Sequence, residues 1–484
     1  MPSDSDSDQE QPQQLHVLLV VALQAHMNPM LKFARCLASK RVHVTLATTE
    51  TVRNHLLHST NLFTLNSRIR FEFFSDGLTA EFDRDKSAET FATLQAVSSE
   101  NLSKLVANFN AKKTRLSCIV FNPFAPWVAD VAEEHGIPCA LLWNQACAIF
   151  SIVYRYSKDL LNPFELMDCP GIPNLQVSDL PSTLLPSTPV HFKKLISDSA
   201  RCAERARWVL GNSFYELESE IIDSMDALLP IRPIGPLVSP FLLGKNEADD
   251  DSDYALHVDG LKAEESCIEW LDRQRPCSVV YVSFGRVTVW SQKQIDNISM
   301  ALKNSDRPFL WALKPPAEGS KRDSGELSRG FLEETKEKGI VVTWCSQEKV
   351  LMHKAVACFM THGGWNSALE TVVSGVPVIV YPEWTDQPTN AKLLSDVFKV
   401  GVRVRINGDE EDGVVTTKEV ERCIEEVING PKAAEMKKRA MELKEAANKA
   451  LEVGGSSDKN INDFIKNISG KSITVTLNND STVD

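Results

Sequence analysis

The run Thr361-His362-Gly363-Gly364-Trp365-Asn366-Ser367 has the residue types and order of an anion site. An apolar stretch precedes it at 356–360, so strand, glycine turn and helix follow one another. Two glycines let the backbone approach a ligand closely, and Asn366 and Ser367 stand where a helix begins. Unpaired N–H groups and the positive dipole end then face outward, which suits a diphosphate. Glu370 lies one helical turn after Asn366 and offers an acceptor to sugar hydroxyls beside the phosphate. Further along, Asp386 and Gln387 can accept from and donate to a hexose, with Trp384 covering an apolar sugar face. Upstream, Trp344, Cys345, Ser346 and Gln347 set an indole against a short polar turn. In the first half of the chain, His26 precedes Met27, Asn28 and Pro29 at the end of an apolar run. Its near-neutral unperturbed pKa is that of a general base, although a histidine in a loop is commonly a plain surface residue.

Each piece alone is a weak signal. Taken together, Trp-Cys-Ser-Gln at 344–347, His-Gly-Gly-Trp-Asn-Ser at 362–367, Glu370 and Trp-Thr-Asp-Gln at 384–387 closely resemble the signature box of the plant family-1 UDP-glycosyltransferases. Compatible resemblance runs from about residue 15 to about residue 469. It implies that Trp344 stacks on uracil, the Cys345 backbone bonds its edge, and Gln347 and Glu370 hold ribose. By the same likeness His362, Asn366 and Ser367, with the backbone at Gly364 and Trp365, meet the diphosphate, and Asp386 and Gln387 bind the hexose. A terminal Gln in this box tends to accompany glucose as donor. Ser283 and Gly285 end a strand and would form the other wall of the phosphate site. Arg286 departs from the family, which more often has Ser or Thr there, and either adds charge to the diphosphate or points to solvent.

His26 matches the family's catalytic histidine, which removes the acceptor's proton as oxygen attacks the anomeric carbon opposite UDP. One such displacement inverts configuration without a covalent enzyme intermediate. Where much of the family has a carboxylate to orient that histidine, this chain has Asn122, either a hydrogen-bonding partner of the imidazole or a turn residue before Pro123. An amide cannot stabilise imidazolium as an anion would, so acidic acceptors are favoured. Phe124, Trp143, Phe150 and Phe192 are candidates for the acceptor pocket. Aromatic residues are as often core.

The elements that must carry these groups alternate. Residues 16–23, 42–48, 69–74, 117–121, 139–143 and 208–213 read as buried strands, with helices at 28–39, 89–109 and 127–135. A second alternating series starts at 264, with strands at 278–284, 309–313, 340–343, 357–361, 377–381 and 402–406. Its helices are at 292–303, 367–373 and 418–428, followed by a long charged helix after Pro431 and another at 458–468. Strands separated by helices imply parallel sheets covered on both faces. The fold class is α/β, and the resemblance implies GT-B: two facing Rossmann-like domains with ligands in the cleft beyond the strand carboxyl ends. The expected division is a disordered tail 1–14, an acceptor domain 15–238, a linker 239–262 and a donor domain 263–453. A C-terminal helix 454–470, which the resemblance implies packs back on the first domain, and a tail 471–484 complete it. Residues 162–190, rich in Pro and Leu, are expected as loops bordering a pocket.

Composition narrows the function classes. A net charge of −13 argues against nucleic acid or an anionic membrane as main partner, so local dipoles must hold a nucleotide. Eleven cysteines without Cys-x-x-Cys read as thiols of a reducing compartment, and residues 17–23 are too short to span a bilayer. With no secretory signal at the N-terminus, a cytoplasmic monomer is expected. The acidic run 247–253 reads as a solvated linker rather than a metal-chelating Asp-x-Asp, and neither metal nor cofactor is expected. The partners are UDP-glucose as co-substrate and a small phenolic such as a flavonoid, with an O-glucoside as the expected product and a C-glucoside or a glucose ester as alternatives. A nicotinamide dehydrogenase would need a Gly-x-Gly-x-x-Gly after a first strand, which is missing. A nucleotide-sugar-binding protein without turnover is a third class, against which His26 beside the donor box speaks.

Overall fold

The computed structural model describes residues 14–23, 26–57, 68–77, 87–111, 115–162, 167–188, 190–244, 266–285, 290–314, 325–405 and 414–470. The predicted tails, most of the linker with its acidic run, and Arg286 lie outside the described residues.

The first sheet contains β1 (His16–Val21), β2 (His43–Thr49), β3 (Ile69–Phe74), β4 (Cys118–Phe121) and β5 (Cys139–Trp143). A short hairpin, β6 (Met167–Cys169) and β7 (Ile172–Leu175), stands apart, and β8 (Trp208–Gly211) and β9 (Ile231–Pro233) return to the sheet. Its order is β3-β2-β1-β4-β5-β8-β9, all parallel. The second sheet holds β10 (Val279–Ser283), β11 (Phe309–Ala312), β12 (Gly339–Val342), β13 (Val356–Thr361), β14 (Val378–Val380) and β15 (Gly401–Arg403). It is ordered β12-β11-β10-β13-β14-β15, also parallel.

The continuous apolar runs of the sequence arise because both faces of each sheet are covered. Leu18 and Val20 of β1 join one core, while Val17, Leu19 and Val21 join the other. In β10 the same split puts Val280 and Val282 on one side and Val279 and Tyr281 on the other. In both sheets the strand order reverses beside the first strand, between β1 and β4 and between β10 and β13. At such switch points the connections leave in opposite directions and open a crevice at the strand carboxyl ends. His26 and Asn122 follow β1 and β4; Gly285 and His362 follow β10 and β13.

The halves touch extensively. One core unites Trp127, Phe150 and Phe214 with Trp365, Leu369, Val373 and Leu443. The Trp365 indole N–H donates to the Asn212 carbonyl at 2.7 Å. Asp179, fully buried, pairs with Arg403 and stands 3.8 Å from Lys392, while its carbonyl accepts from Thr389 Oγ1 at 2.6 Å. The terminal helix Ser456–Ile468 sets Phe464 against Phe33 and Trp208, and Lys40 holds Asp458 at 2.5 Å.

Residues 162–190 are more structured than loops alone: the hairpin and two 3-10 turns, Val177–Asp179 and Ser182–Leu184, lie there, and Pro181 and Thr183 line a cavity. The helices Cys147–Ser157, Val190–Arg205 and Tyr215–Met225 carry no counterpart in the sequence reading. Among the described residues, no helix is long and apolar enough to cross a membrane.

Candidate active site

The glycine turn after β13 is built around one imidazole. Gly363 takes φ +80, and a Cβ there would meet Val380 Cγ1 at 2.6 Å, so only glycine turns the chain from β13 into the helix Trp365–Ser374. Gly285, at φ +71, and Gly364 clasp His362 from two sides: a Cβ on either would come within 2.8 Å or 2.7 Å of the ring. The helix is capped at Gly364 without a side-chain acceptor, which leaves its first-turn N–H groups for a ligand. His362 is pushed down to about 4 by burial, so it presents a neutral ring to that space. Thr361 Oγ1 stands 3.3 Å from its Nδ1.

Beside the turn, Gln347 Nε2 donates to Glu370 Oε2 at 2.6 Å and to Ser367 Oγ at 3.1 Å. Tyr281, buried under this cluster, donates to Gln347 Oε1 at 3.4 Å and lies 3.5 Å from Cys345 Sγ. Burial pushes Glu370 up to about 7, opposed by Lys32 and reinforced by Glu348. Lys32 reaches over from the first half to pair with Glu348 at 3.3 Å. Trp344 is half-buried. Ser367 is engaged with Gln347 rather than directed at the helix tip alone.

The hexose candidates are held rigidly. Gln387 Oε1 accepts from the backbone of Glu383 at 2.8 Å and Trp384 at 3.2 Å, which leaves its NH2 for a ligand. Asp386, buried and raised above the usual carboxylate range by that burial, accepts from Thr385, Asn390 and Gln145. Thr385 occupies φ +54, a costly conformation for a β-branched residue. Two hydrogen bonds to Ser182 across the cleft hold it there, at 2.6 Å and 2.7 Å.

A cavity of about 340 Å³ joins this loop to the first half. His362, Gly364, Trp365, Asn366, Trp384, Asp386 and Gln387 line one side, and His26, Phe124, Trp143, Asn144 and Gln145 the other. Ser283 and Gly285 stand at the end of β10 next to His362.

His26 begins the helix Met27–Ser39. Phe124 stacks on its ring, centroids 4.2 Å apart at 19°, and burial pushes its pKa down to about 4. Asn122 does not hold this imidazole: its Oδ1 accepts from Phe124 N at 3.0 Å, an Asx turn before Pro123, and its Nδ2 is buried without a partner. Asn144 holds it instead, with Nδ2 2.6 Å from His26 Nδ1. No sequence signal singled out Asn144, because the bond joins the chain beyond β1 to the chain beyond β5, two strands separated in the sheet by β4. Phe150 is a second correction. It is 1% exposed and packs on Trp143 at 5.2 Å, inside the core, because the helix Cys147–Ser157 turns it away from the cleft. Phe192 falls in the helix Val190–Arg205, with its side chain outside the described residues.

The likeness extends to known proteins. Residues 265–448 match the family described as "UDP-glucoronosyl and UDP-glucosyl transferase". "UDP-glycosyltransferase 84B2" of Arabidopsis thaliana is 47% identical over 93% of this chain and 99% of its own length. The chain belongs to the plant family-1 UDP-glycosyltransferases. This UDP-glycosyltransferase is also 40% identical to "Gallate 1-beta-glucosyltransferase 84A24" of Punica granatum, over 96% of its own chain and 90% of the relative. To "Cinnamate beta-D-glucosyltransferase" of Fragaria ananassa it is 39% identical, over 96% and 84%. Among solved structures, Os79 of O. sativa in complex with UDP superposes with a TM-score of 0.83 at 31% identity, over 93% of this chain and all of that one. The fold is GT-B, and the protein is a glycosyltransferase.

Proposed function

We propose that this enzyme transfers glucose from UDP-glucose to the carboxylate of a phenolic acid and so forms a glucose ester. One observation carries the choice of acceptor: the imidazole of His26 is half-buried, kept neutral by desolvation and hydrogen-bonded by an amide. An imidazolium formed there would have no anion at Nδ1 to stabilise it. A phenol must surrender its proton as it attacks, whereas a carboxylic acid arrives already ionised. The relatives named for gallate and cinnamate support the same reading.

In this scheme the diphosphate rests on the first-turn N–H groups of Trp365–Ser374, with His362 beside it. Ribose takes the Gln347–Glu370 pair, uracil stacks on Trp344, and the Cys345 backbone meets its edge. Asp386 and the Gln387 NH2 hold the hexose. A carboxylate oxygen then attacks C1 as the bond from C1 to the phosphate oxygen breaks, the electron pair leaves with UDP, and configuration at C1 inverts. Backbone dipoles and a neutral donor stabilise the departing phosphate, and no metal ion enters the scheme. Phe124 and Trp143 flank the acceptor ring.

Incubation with UDP-glucose and a panel of benzoic acids, cinnamic acids and flavonoids tests this directly. Products that open in base are expected. Products stable to base but opened by acid, or stable to both, would instead be O-glucosides or C-glucosides, and the ester assignment would fall.

A further inference from the structure

We propose that Asn144 holds His26 as its Nε2–H tautomer, so that the histidine donates a hydrogen bond to the acceptor carboxylate instead of withdrawing a proton. This rests on the ester reading above and adds a positioning residue and a changed role for the imidazole.

The contact is between two nitrogens, Asn144 Nδ2 and His26 Nδ1, 2.6 Å apart. An amide nitrogen donates and cannot accept, so Nδ1 must offer its lone pair and the ring proton must sit on Nε2. Reversing the amide would aim its carbonyl at Nδ1 and bury the NH2 where Oδ1 now lies without a partner. An unpaired buried donor is the costlier arrangement, because carbonyls tolerate under-use better than N–H groups do. Phe124 covers a face of the ring and Asn144 occupies one edge nitrogen, so Nε2 is the ring nitrogen left for the cavity. Asn122, spent on Phe124 N, supplies no anion that would favour Nδ1–H. The groups packed against His26, Phe124 and Asn144, do not titrate; His362 and Asp386 are the titratable side chains sharing the cavity among its described lining residues. No lysine or arginine lines it among those residues, so a bound carboxylate must be met by neutral donors. An Nε2–H on His26 is one. Burial, which keeps this imidazole neutral, is consistent with that role.

Two measurements test it. In the whole protein labelled with 15N-histidine, and with His26→Gln to assign the signal, the His26 Nε2 is expected to be protonated and Nδ1 bare at neutral pH. The second compares wild type with Asn144→Asp, whose carboxylate would draw the ring proton to Nδ1 and free Nε2 as a base. Asn144→Asp should raise transfer to a phenol relative to the acid by roughly tenfold or more. An Nδ1–H signal in the wild type alongside ester formation would overturn this inference alone. An Nε2–H signal with no ester product would leave the tautomer standing but overturn the donor role together with the proposed function. An unchanged phenol-to-acid ratio in a folded Asn144→Asp protein would also count against it.

Discussion

At the scale of single residues, the site is distinguished by buried groups kept in their neutral forms. His26 and His362 are both pushed down to about 4 by burial, below the ordinary value of 6.5. For a histidine so lowered, the unfolded chain binds more protons than the folded one between about pH 4 and 6.5, so stability is lost as pH falls through that window. Glu370, raised to about 7, has the opposite sign and loses stability as pH rises from its ordinary value toward neutrality. The two can be separated by variant. Between pH 7 and pH 5 the wild type should lose on the order of 1–2 kcal/mol more than His362→Gln, measured by denaturant unfolding at each pH. Equal losses in both would show that His362 is not held neutral. Gln387 gives a kinetic prediction: its Oε1 fixes the loop and its NH2 faces the cavity. Gln387→Glu removes the donor and adds charge, and the KM for UDP-glucose should rise about tenfold or more while UDP affinity stays nearly constant.

Elements supply the reasons these residues meet. The helix Trp365–Ser374 begins where it does because Gly363 can take φ +80 and Gly364 leaves room for His362. Gly363→Ala combines an unfavourable φ with a 2.6 Å approach to Val380. It should cost about 1–3 kcal/mol of stability and weaken UDP binding, read by thermal unfolding and calorimetric titration. Wild-type UDP affinity in that variant would mean that the diphosphate does not rest on this turn. This element was legible in the sequence, since a glycine turn between an apolar run and a helix start is a local pattern. The histidine's partner was not legible. Asn122 and Asn144 end adjacent strands, and which amide reaches His26 depends on how far each chain runs past its sheet. Phe150 misled for a related reason: one residue past the cavity-lining Ile149, the helix period has already rotated it into the core.

For the whole molecule, the alternation of strands and helices was enough to anticipate two parallel sheets, because burial on both faces writes itself into apolar runs. The contacts between the halves were not, since they join residues far apart in the sequence, apolar ones in a shared core as well as charged ones. Asp179 is the sharpest instance: fully buried, it meets Arg403 and lies near Lys392, on the helix Gln387–Lys392 that begins at the proposed hexose residues. Asp179→Ala leaves Arg403 without this partner, while Lys392 keeps Asp396 at 2.8 Å, and should cost on the order of 2 kcal/mol. A rise in KM for UDP-glucose should accompany it as that helix loosens. A variant equally stable and equally tight for donor would remove this pair from the account. Ser182 and Thr385 join the halves at the rim of the same cavity, so donor loop and acceptor wall are set together.

The central claim is that the donor lies along the start of Trp365–Ser374 with its hexose turned across the cleft toward His26. A crystal structure with a non-transferable UDP-glucose analogue tests it most directly. Phosphate oxygens are expected on the first-turn N–H groups beside His362, uracil on Trp344, and C1 of the sugar facing the His26 edge of the cavity. A diphosphate bound elsewhere, or a hexose with C1 turned away from His26, would contradict it.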